Sequence, residues 1–236
     1  MDKLAFGAVM GTAGIPSLPR VPLTTSTLEV GFEGPYIVKP RFGGSSIGID
    51  VVADLEVAKA RLGVNSHLAA GAVIEPYRPD LHDLQIAVRS WPERQLSAIE
   101  RPLKSSSGSS EILGYSDKYV GGEGMASAPR ELPAELPSAR IHEIRALANR
   151  VADAALLRGV ARIDFLASDT ELYVNEINTI PGSLARYLFI EPPVPFGSLL
   201  NDLVAEAQRS PARRYSAAGA DGLVLRGAAS IAAKLA

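Results

Sequence analysis

The chain has 236 residues, 24 Lys+Arg against 26 Asp+Glu, 47% hydrophobic and 21% charged residues, a make-up that fits a folded globular protein and excludes a disordered one. Near-balanced charge leaves no broad electrostatic footprint for nucleic acid or anionic lipid, and the absence of cysteine removes disulfide frameworks, thiolate catalysis and Cys-based zinc or iron–sulfur sites. No apolar run approaches the roughly 18–20 residues of a membrane helix and the first residues lack the basic-then-apolar layout of a signal peptide, so a cytoplasmic location is expected.

In chain order, Leu4, Ala8 and Val9 sit at helical spacing within residues 2–13, before Gly14-Ile15-Pro16 stops the pattern. Tyr36 to Lys39 reads as a strand, Gly43 to Gly48 as a loop, and Ile47 to Val52 as a second strand. Asp54 suits the N-cap of a helix through Leu62, and Ala72-Val73-Ile74 gives another strand. These pieces predict a small α+β unit ending near Glu75. Leu84 to Val88, Gln95 to Ile99, Val160 to Phe165 and Leu172 to Ile177 read as further strands. Between the second and third of these lies a long polar stretch, Lys104 to Glu123, of the kind that is functional or disordered. A helix follows Pro137-Ser138, with Ile141, Ile144, Leu147, Ala148, Val151 and Ala155 on one face, and another runs from Gly197 to Gln208. The last twenty residues are Ala/Gly-rich and weakly patterned, and read as a loosely docked tail.

The most informative stretch is Arg162-Ile163-Asp164-Phe165 followed by Glu176-Ile177-Asn178. Residues two apart on a strand share a face, so Arg162 and Asp164 point one way, and Glu176 and Asn178 share a side opposite Ile177. The short Ser168-Asp169-Thr170 connection predicts an antiparallel hairpin. Asp164, Glu176 and Asn178 can then converge as three oxygen donors suited to Mg²⁺ or Mn²⁺ with phosphate oxygens completing the shell. The same alternation also suits the polar, solvent-facing side of a half-buried sheet.

Lys39 closes a strand just before the glycine/serine loop. Glycines let backbone N–H groups approach an anion and a lysine supplies a point charge, although a mobile hairpin turn has the same composition. Gly44-Ser45-Ser46-Ile47-Gly48 also matches the serine-hydrolase elbow G-x-S-x-G, which needs a following helix. Strand-like Ile49-Asp50-Val51-Val52 follows instead, and His67, His82 and His142 have neither a triad setting nor metal spacing. Lys118-Tyr119 gains meaning only where the long polar loop closes over a site.

In this order the motifs resemble an ATP-grasp enzyme, and within that superfamily the D-alanine–D-alanine ligase family. The resemblance rests on Met1-Asp2-Lys3, Gly14-Ile15-Pro16, Ile37-Val38-Lys39-Pro40 with Gly44 to Gly48, Val73-Ile74-Glu75, Asp117-Lys118-Tyr119, Ala161 to Phe165, and above all Asn175-Glu176-Ile177-Asn178-Thr179-Ile180-Pro181-Gly182-Ser183. It implies an α+β ATP-grasp fold with ATP between a small subdomain, residues 1–75, and a C-terminal one, residues 76–236, with a lid loop over about 104–123. Lys39 and Lys118 would contact phosphate, and Gly44, Ser45 and Ser46 would cover it. Glu75, Pro76, Tyr77 and Arg78 would form the strand that hydrogen-bonds adenine, and Asp164, Glu176 and Asn178 would hold two magnesium ions. Ser45 and Tyr119 would help close the first amino-acid subsite, while Arg162 and the Gly182 N–H would stabilise the tetrahedral oxyanion. The implied reaction joins two D-alanines through an acyl phosphate for peptidoglycan precursors. The alternatives are another carboxylate–amine pair, or an ATP-binding fragment without catalysis alone.

The sequence departs from that family pattern at four places. It begins where the family's central domain begins, so an N-terminal domain is expected in frame upstream, on a partner chain, or nowhere; the family's tendency to dimerise makes a homodimer one implied assembly. Gly7 stands where the family carries a phosphate-binding lysine, a gap that Lys3 or another group would have to fill. The family interval to the ribose-binding acid lands on His82, and Asp83 fits with a one-residue insertion. Ser183-Leu184-Ala185-Arg186-Tyr187 replaces a Ser/Thr-rich run that lines the second-substrate subsite.

Overall fold

The computed structural model describes residues 1–103 and 129–210. Among these described residues nine strands form two antiparallel sheets, accompanied by four α-helices. The first has the order β1-β4-β2-β3, from β1 (Val21–Leu23), β2 (Tyr36–Pro40), β3 (Asp50–Val52) and β4 (Ala72–Pro76). Alternation sorts its side chains. Leu23, Val38, Val52, Ala72 and Ile74 form an apolar cluster with Ala58 of α2 (Leu55–Val64). Ile37, paired with Glu75, and Lys39 occupy the other face. Asp54 caps α2 as its sequence position predicts, its side chain accepting from the Val57 N–H at 2.8 Å.

The second sheet has the order β7-β6-β5-β8-β9, from β5 (His82–Arg89), β6 (Gln95–Pro102), β7 (Arg130–Glu131), β8 (Val160–Ala167) and β9 (Leu172–Asn178). Leu84, Ile86, Ile163, Phe165, Val174 and Ile177 of this sheet pack with Ile144, Leu147, Ala148 and Val151 of α3 (Ser138–Ala154) in the main core. Each of the larger side chains contributes about 1.5–3 kcal/mol by leaving water. The opposite face carries a transverse polar row: the register aligns Glu100 with Gln85, Gln85 with Asp164, and Asp164 with Glu176. The expected β8–β9 hairpin is present, with Arg162 opposite Asn178.

Three local expectations are corrected. The buried face of α1 (Lys3–Thr12) is Lys3, Phe6 and Met10, not Leu4, Ala8 and Val9. The larger Phe6 and Met10 side chains, with Ile15, enter the main core, and Lys3 turns toward the cleft. The second strand spans only Asp50–Val52 rather than Ile47–Val52. Ser45, Ser46 and Gly48 take φ of 57°, 59° and 74°, a left-handed turn that cannot join a ladder, and a Cβ on Gly48 would lie 2.4 Å from that of His67. Ala155 is exposed as the C-cap of α3 instead of lying on its buried face.

The segment after Pro181 is a short helical turn, Gly182–Leu188, in which Ser183, Leu184 and Ala185 all sit near φ 51°. Left-handed backbone is costly for residues with a Cβ, and packing of Ala185, Leu188 and Phe189 against Ala87 and Val160 holds it. The last described helix is α4 (Phe196–Arg209). The polar stretch 104–123 and the final twenty residues lie outside the described residues.

Candidate active site

A cavity of about 420 Å³ lies between the two sheets. On the small-sheet side its wall is charged. Lys39 donates to Glu75 Oε2 at 2.7 Å, with Glu75 1% exposed. Burial alone would raise the Glu75 carboxyl, but Lys39 and Arg20 beside it outweigh this and hold it below the usual range. Lys3 lines the same cavity, its Nζ donating to the Gly43 carbonyl at 3.3 Å, and burial pushes its ammonium below the ordinary lysine value. The helix start is thereby tied to the glycine/serine loop, whose Gly44, Ser45 and Ser46 form part of the lining. Two lysines and one carboxylate leave this wall positive, which suits a polyanion.

On the large-sheet side Asp164 and Glu176 line the cavity from adjacent strands. Arg162 grips Asp164 with two bonds, Nε to Oδ1 at 2.7 Å and Nη2 to Oδ2 at 2.9 Å. Burial works against the charge of this arginine, but Asp164 outweighs it and keeps the guanidinium firmly protonated. Asn178 donates from Nδ2 to Asp164 Oδ2 at 2.9 Å. Among the described residues no group of three or more His, Cys, Asp or Glu has metal-holding geometry. Two carboxylates with an amide oxygen suit a hard cation whose shell is finished by a ligand's own oxygens, the usual arrangement for Mg²⁺ on a nucleotide. Asp164 and Glu176 bring hard carboxylate oxygens of the kind Mg²⁺ or Mn²⁺ takes to the cavity, while Asn178 turns its amide nitrogen, not its oxygen, toward them.

Of the residues singled out in the sequence, Lys39, Gly44, Ser45 and Ser46 line this cavity together with Glu75, Pro76, Tyr77 and Asp83, and Asp164 and Glu176 close it. Both ribose candidates, His82 and Asp83, line the cavity. Asp83 shares the strand parity of Gln85, which pairs with Asp164, and His82 that of Leu84 and Ile86. The Glu75 side chain is committed to Lys39, and at the strand end the Tyr77 N–H donates to the Pro35 carbonyl at 2.9 Å. Arg162, Asn178 and Gly182 are not in the lining; the first two reach it through Asp164. Lys118 and Tyr119 lie outside the described residues.

Beyond Asp164 the polar row continues into a buried cluster. Arg130 pairs with Glu100 at 3.0 Å and stacks over the Tyr187 ring at 4.6 Å. Burial raises the Glu100 carboxyl, and burial with the neighbouring Glu100 pushes the Tyr187 hydroxyl up to about 12.

The family described as "D-ala D-ala ligase C-terminus" matches residues 21–206. The chain belongs to the D-Ala–D-Ala ligase C-terminal family. A D-alanine–D-alanine ligase of a Nitratiruptor species is 31% identical over 214 residues, which are 89% of this chain and 58% of that relative. Two solved structures share the fold: the VanG D-Ala:D-Ser ligase from Enterococcus faecalis (TM-score 0.69, 20% identity, 87% of this chain and 61% of that one) and the D-alanine–D-alanine ligase from Bacillus anthracis complexed with ATP (0.66, 19%, 88% and 66%). The fold of this D-Ala–D-Ala ligase C-terminal domain is thus the α+β ATP-grasp fold. The chain spans about half the length of the relatives it matches. Within this family member, sequence reading passed over Arg20, Gln85 and Glu100. A charged residue inside the apolar run Leu18-Pro19-Arg20-Val21, and polar residues at the cleft-facing parity of β5 and β6, were the signals available. Among the described residues no helix is long and apolar enough to cross a membrane.

Proposed function

We propose that the chain is the nucleotide-binding and catalytic portion of an ATP-dependent carboxylate–amine ligase that joins two D-alanines. The observation that carries this reading is the cavity in which Lys39, Lys3 and the glycine/serine loop face Asp164 and Glu176 across a space open to the strand end at Pro76-Tyr77. The small unit, residues 1–75, and the larger one, residues 76–236, each supply one wall. Mg²⁺, held by Asp164, Glu176 and Asn178, would neutralise phosphate charge.

In the proposed reaction an oxygen of the first carboxylate attacks the γ-phosphorus of ATP, and ADP leaves. The amine of the second amino acid then attacks the acyl carbon, and inorganic phosphate leaves with its bonding pair. Lys39 and Lys3 hold the phosphate chain in line, with Lys118 reaching it from the 104–123 lid. The loop of Gly44, Ser45 and Ser46 excludes water from it. Asp83 takes the ribose, and Ser45 with Tyr119 closes the first amino-acid subsite. Arg162 and the Gly182 N–H meet the oxyanion that forms at the acyl carbon.

The test is ADP release with Mg²⁺ and D-alanine, comparing the chain with its Glu176→Gln variant. Turnover in the first and its loss in the second are expected; equal rates would remove the catalytic claim. Because the chain spans about half of its relatives, a second reading is a partner-dependent fragment. That reading predicts ATP binding without turnover until the relatives' N-terminal domain is added as a separate chain.

A further inference from the structure

Glu75 carries two cations on two oxygens. Lys39 holds Oε2 at 2.7 Å, while the Arg20 Nε stands 3.5 Å from Oε1. The two cations are not equivalent. Lys39 lines the cavity, whereas the Arg20 side chain is 3% exposed and lies behind the carboxylate, away from the lining. Arg20 Nε and Glu75 Oε1 are both buried without a hydrogen-bond partner. Each is an orphan facing the other across a gap slightly too long for a bond.

A lysine ammonium is a single point charge. While it sits on Glu75 it is not delivered to a ligand, and drawing it away strips a fully buried carboxylate of its close partner, a costly state. We propose that Arg20 is a positioning residue of the nucleotide site, the standing counter-ion of Glu75 that releases Lys39 to the phosphate of an incoming nucleotide. This rests on the nucleotide reading above. As Lys39 departs, the Arg20–Glu75 gap closes and the carboxylate stays neutralised.

The rest of the guanidinium is already fixed for that task. One Nη donates to the Lys3 carbonyl at 3.4 Å, and the other to the Asn175 carbonyl at 3.0 Å. Arg20 therefore ties together the strand that carries Glu75, the helix start that carries Lys3, and the residue before Glu176. Its stem also explains Gly7. A Cβ at that position would lie 2.7 Å from Arg20 Cδ and 2.9 Å from Cγ, so a helix-weakening glycine is kept where the arginine crosses. The bare position 7 and the cation at 20 are one device.

The test is calorimetric titration of the full chain with the non-hydrolysable analogue AMP-PNP in Mg²⁺, with adenosine as the phosphate-free control. Arg20→Met, which keeps much of the stem and removes the charge, is expected to weaken AMP-PNP binding about tenfold or more while leaving adenosine unchanged. Adding Glu75→Gln to Arg20→Met removes the carboxylate that traps Lys39, and most of the lost affinity should return. A purely structural arginine would give no such rescue. Arg20→Met binding AMP-PNP like wild type, or the double variant binding as poorly as the single, overturns the proposal while the nucleotide reading stands. Failure of the wild-type chain to bind AMP-PNP overturns both. Should Arg20→Met not fold, Gly7→Ala displaces the stem without removing the charge. It is expected to show the same loss and the same Glu75→Gln rescue, and wild-type affinity in that variant would refute the role.

Discussion

Arg162 meets Asp164 through a planar fork, one nitrogen on each oxygen, so it fixes the orientation of a cleft carboxylate; in the proposed reaction it would also offer charge to the oxyanion. A donor of that kind is worth most when charge develops on the substrate, because it is already oriented and desolvated. Arg162→Ala is expected to lower kcat about 10²–10³-fold in the ADP-release assay, with ATP affinity changed by less than about threefold. Comparable losses in both would remove the oxyanion role. This pairing was legible in the sequence, since alternation alone puts residues 162 and 164 on one side of a strand. Lys3 was reached only as one group that could fill the gap left at Gly7, and Arg20 not at all. That Gly7 also makes room for a crossing side chain shows only once Arg20, from a separate segment, is seen beside it.

Elements joined by parity were readable; elements set by unusual backbone were not. The β8–β9 hairpin and the cap of α2 follow from residue spacing, whereas the slip in the hairpin's register between Asp164 and Phe165 does not. By contrast, β1 has three residues with a proline among them, and nothing in Ser183-Leu184-Ala185 favours positive φ. The start of α1 shows how one element is anchored. Asp2 Oδ1 accepts from the Leu4 and Ala5 N–H groups at 3.0 and 3.3 Å, while Arg41 donates to both carboxylate oxygens at 2.9 and 2.6 Å. The Arg41 hydrogen bonds hold the Asp2 carboxyl at about 2, below its ordinary 3.8. A carboxyl depressed by folding contributes stability above its unfolded value and loses it as pH falls through the folded one. Asp2→Asn keeps a capping oxygen but removes the charge. The gap in urea midpoint between wild type and this variant should therefore be full at pH 6–7 and narrow between about pH 4 and pH 2. Because the pair is partly open to solvent, 1 M salt should also narrow it. A gap as wide at pH 2 as at pH 7 would show that Asp2 acts as a cap alone.

Across the whole molecule, α1 is the stitch between the sheets. Its N–H at Lys3 bonds the Arg41 carbonyl at 3.0 Å, just beyond β2 of the small sheet, while Phe6 and Met10 enter the core of the large one. The segment that follows continues the seam. Pro16 accepts from the Val174 N–H at 2.8 Å, and Arg150 of α3 donates to the Ala13 and Gly14 carbonyls at 3.0 and 2.8 Å. A cleft whose walls come from two sheets needs such a seam, because Lys3 and Lys39 must stay in register with Asp164 and Glu176. Met10 is fully buried, so Met10→Ala leaves a cavity and is expected to cost about 2–5 kcal/mol in urea unfolding. The seam predicts where that loss is felt. Native-state hydrogen exchange should show protection falling together at Val38 in the small sheet and at Ile86 in the large one. Protection lost around Ile86 while Val38 keeps its own would show that the sheets open independently and that α1 does not couple the two walls of the cleft.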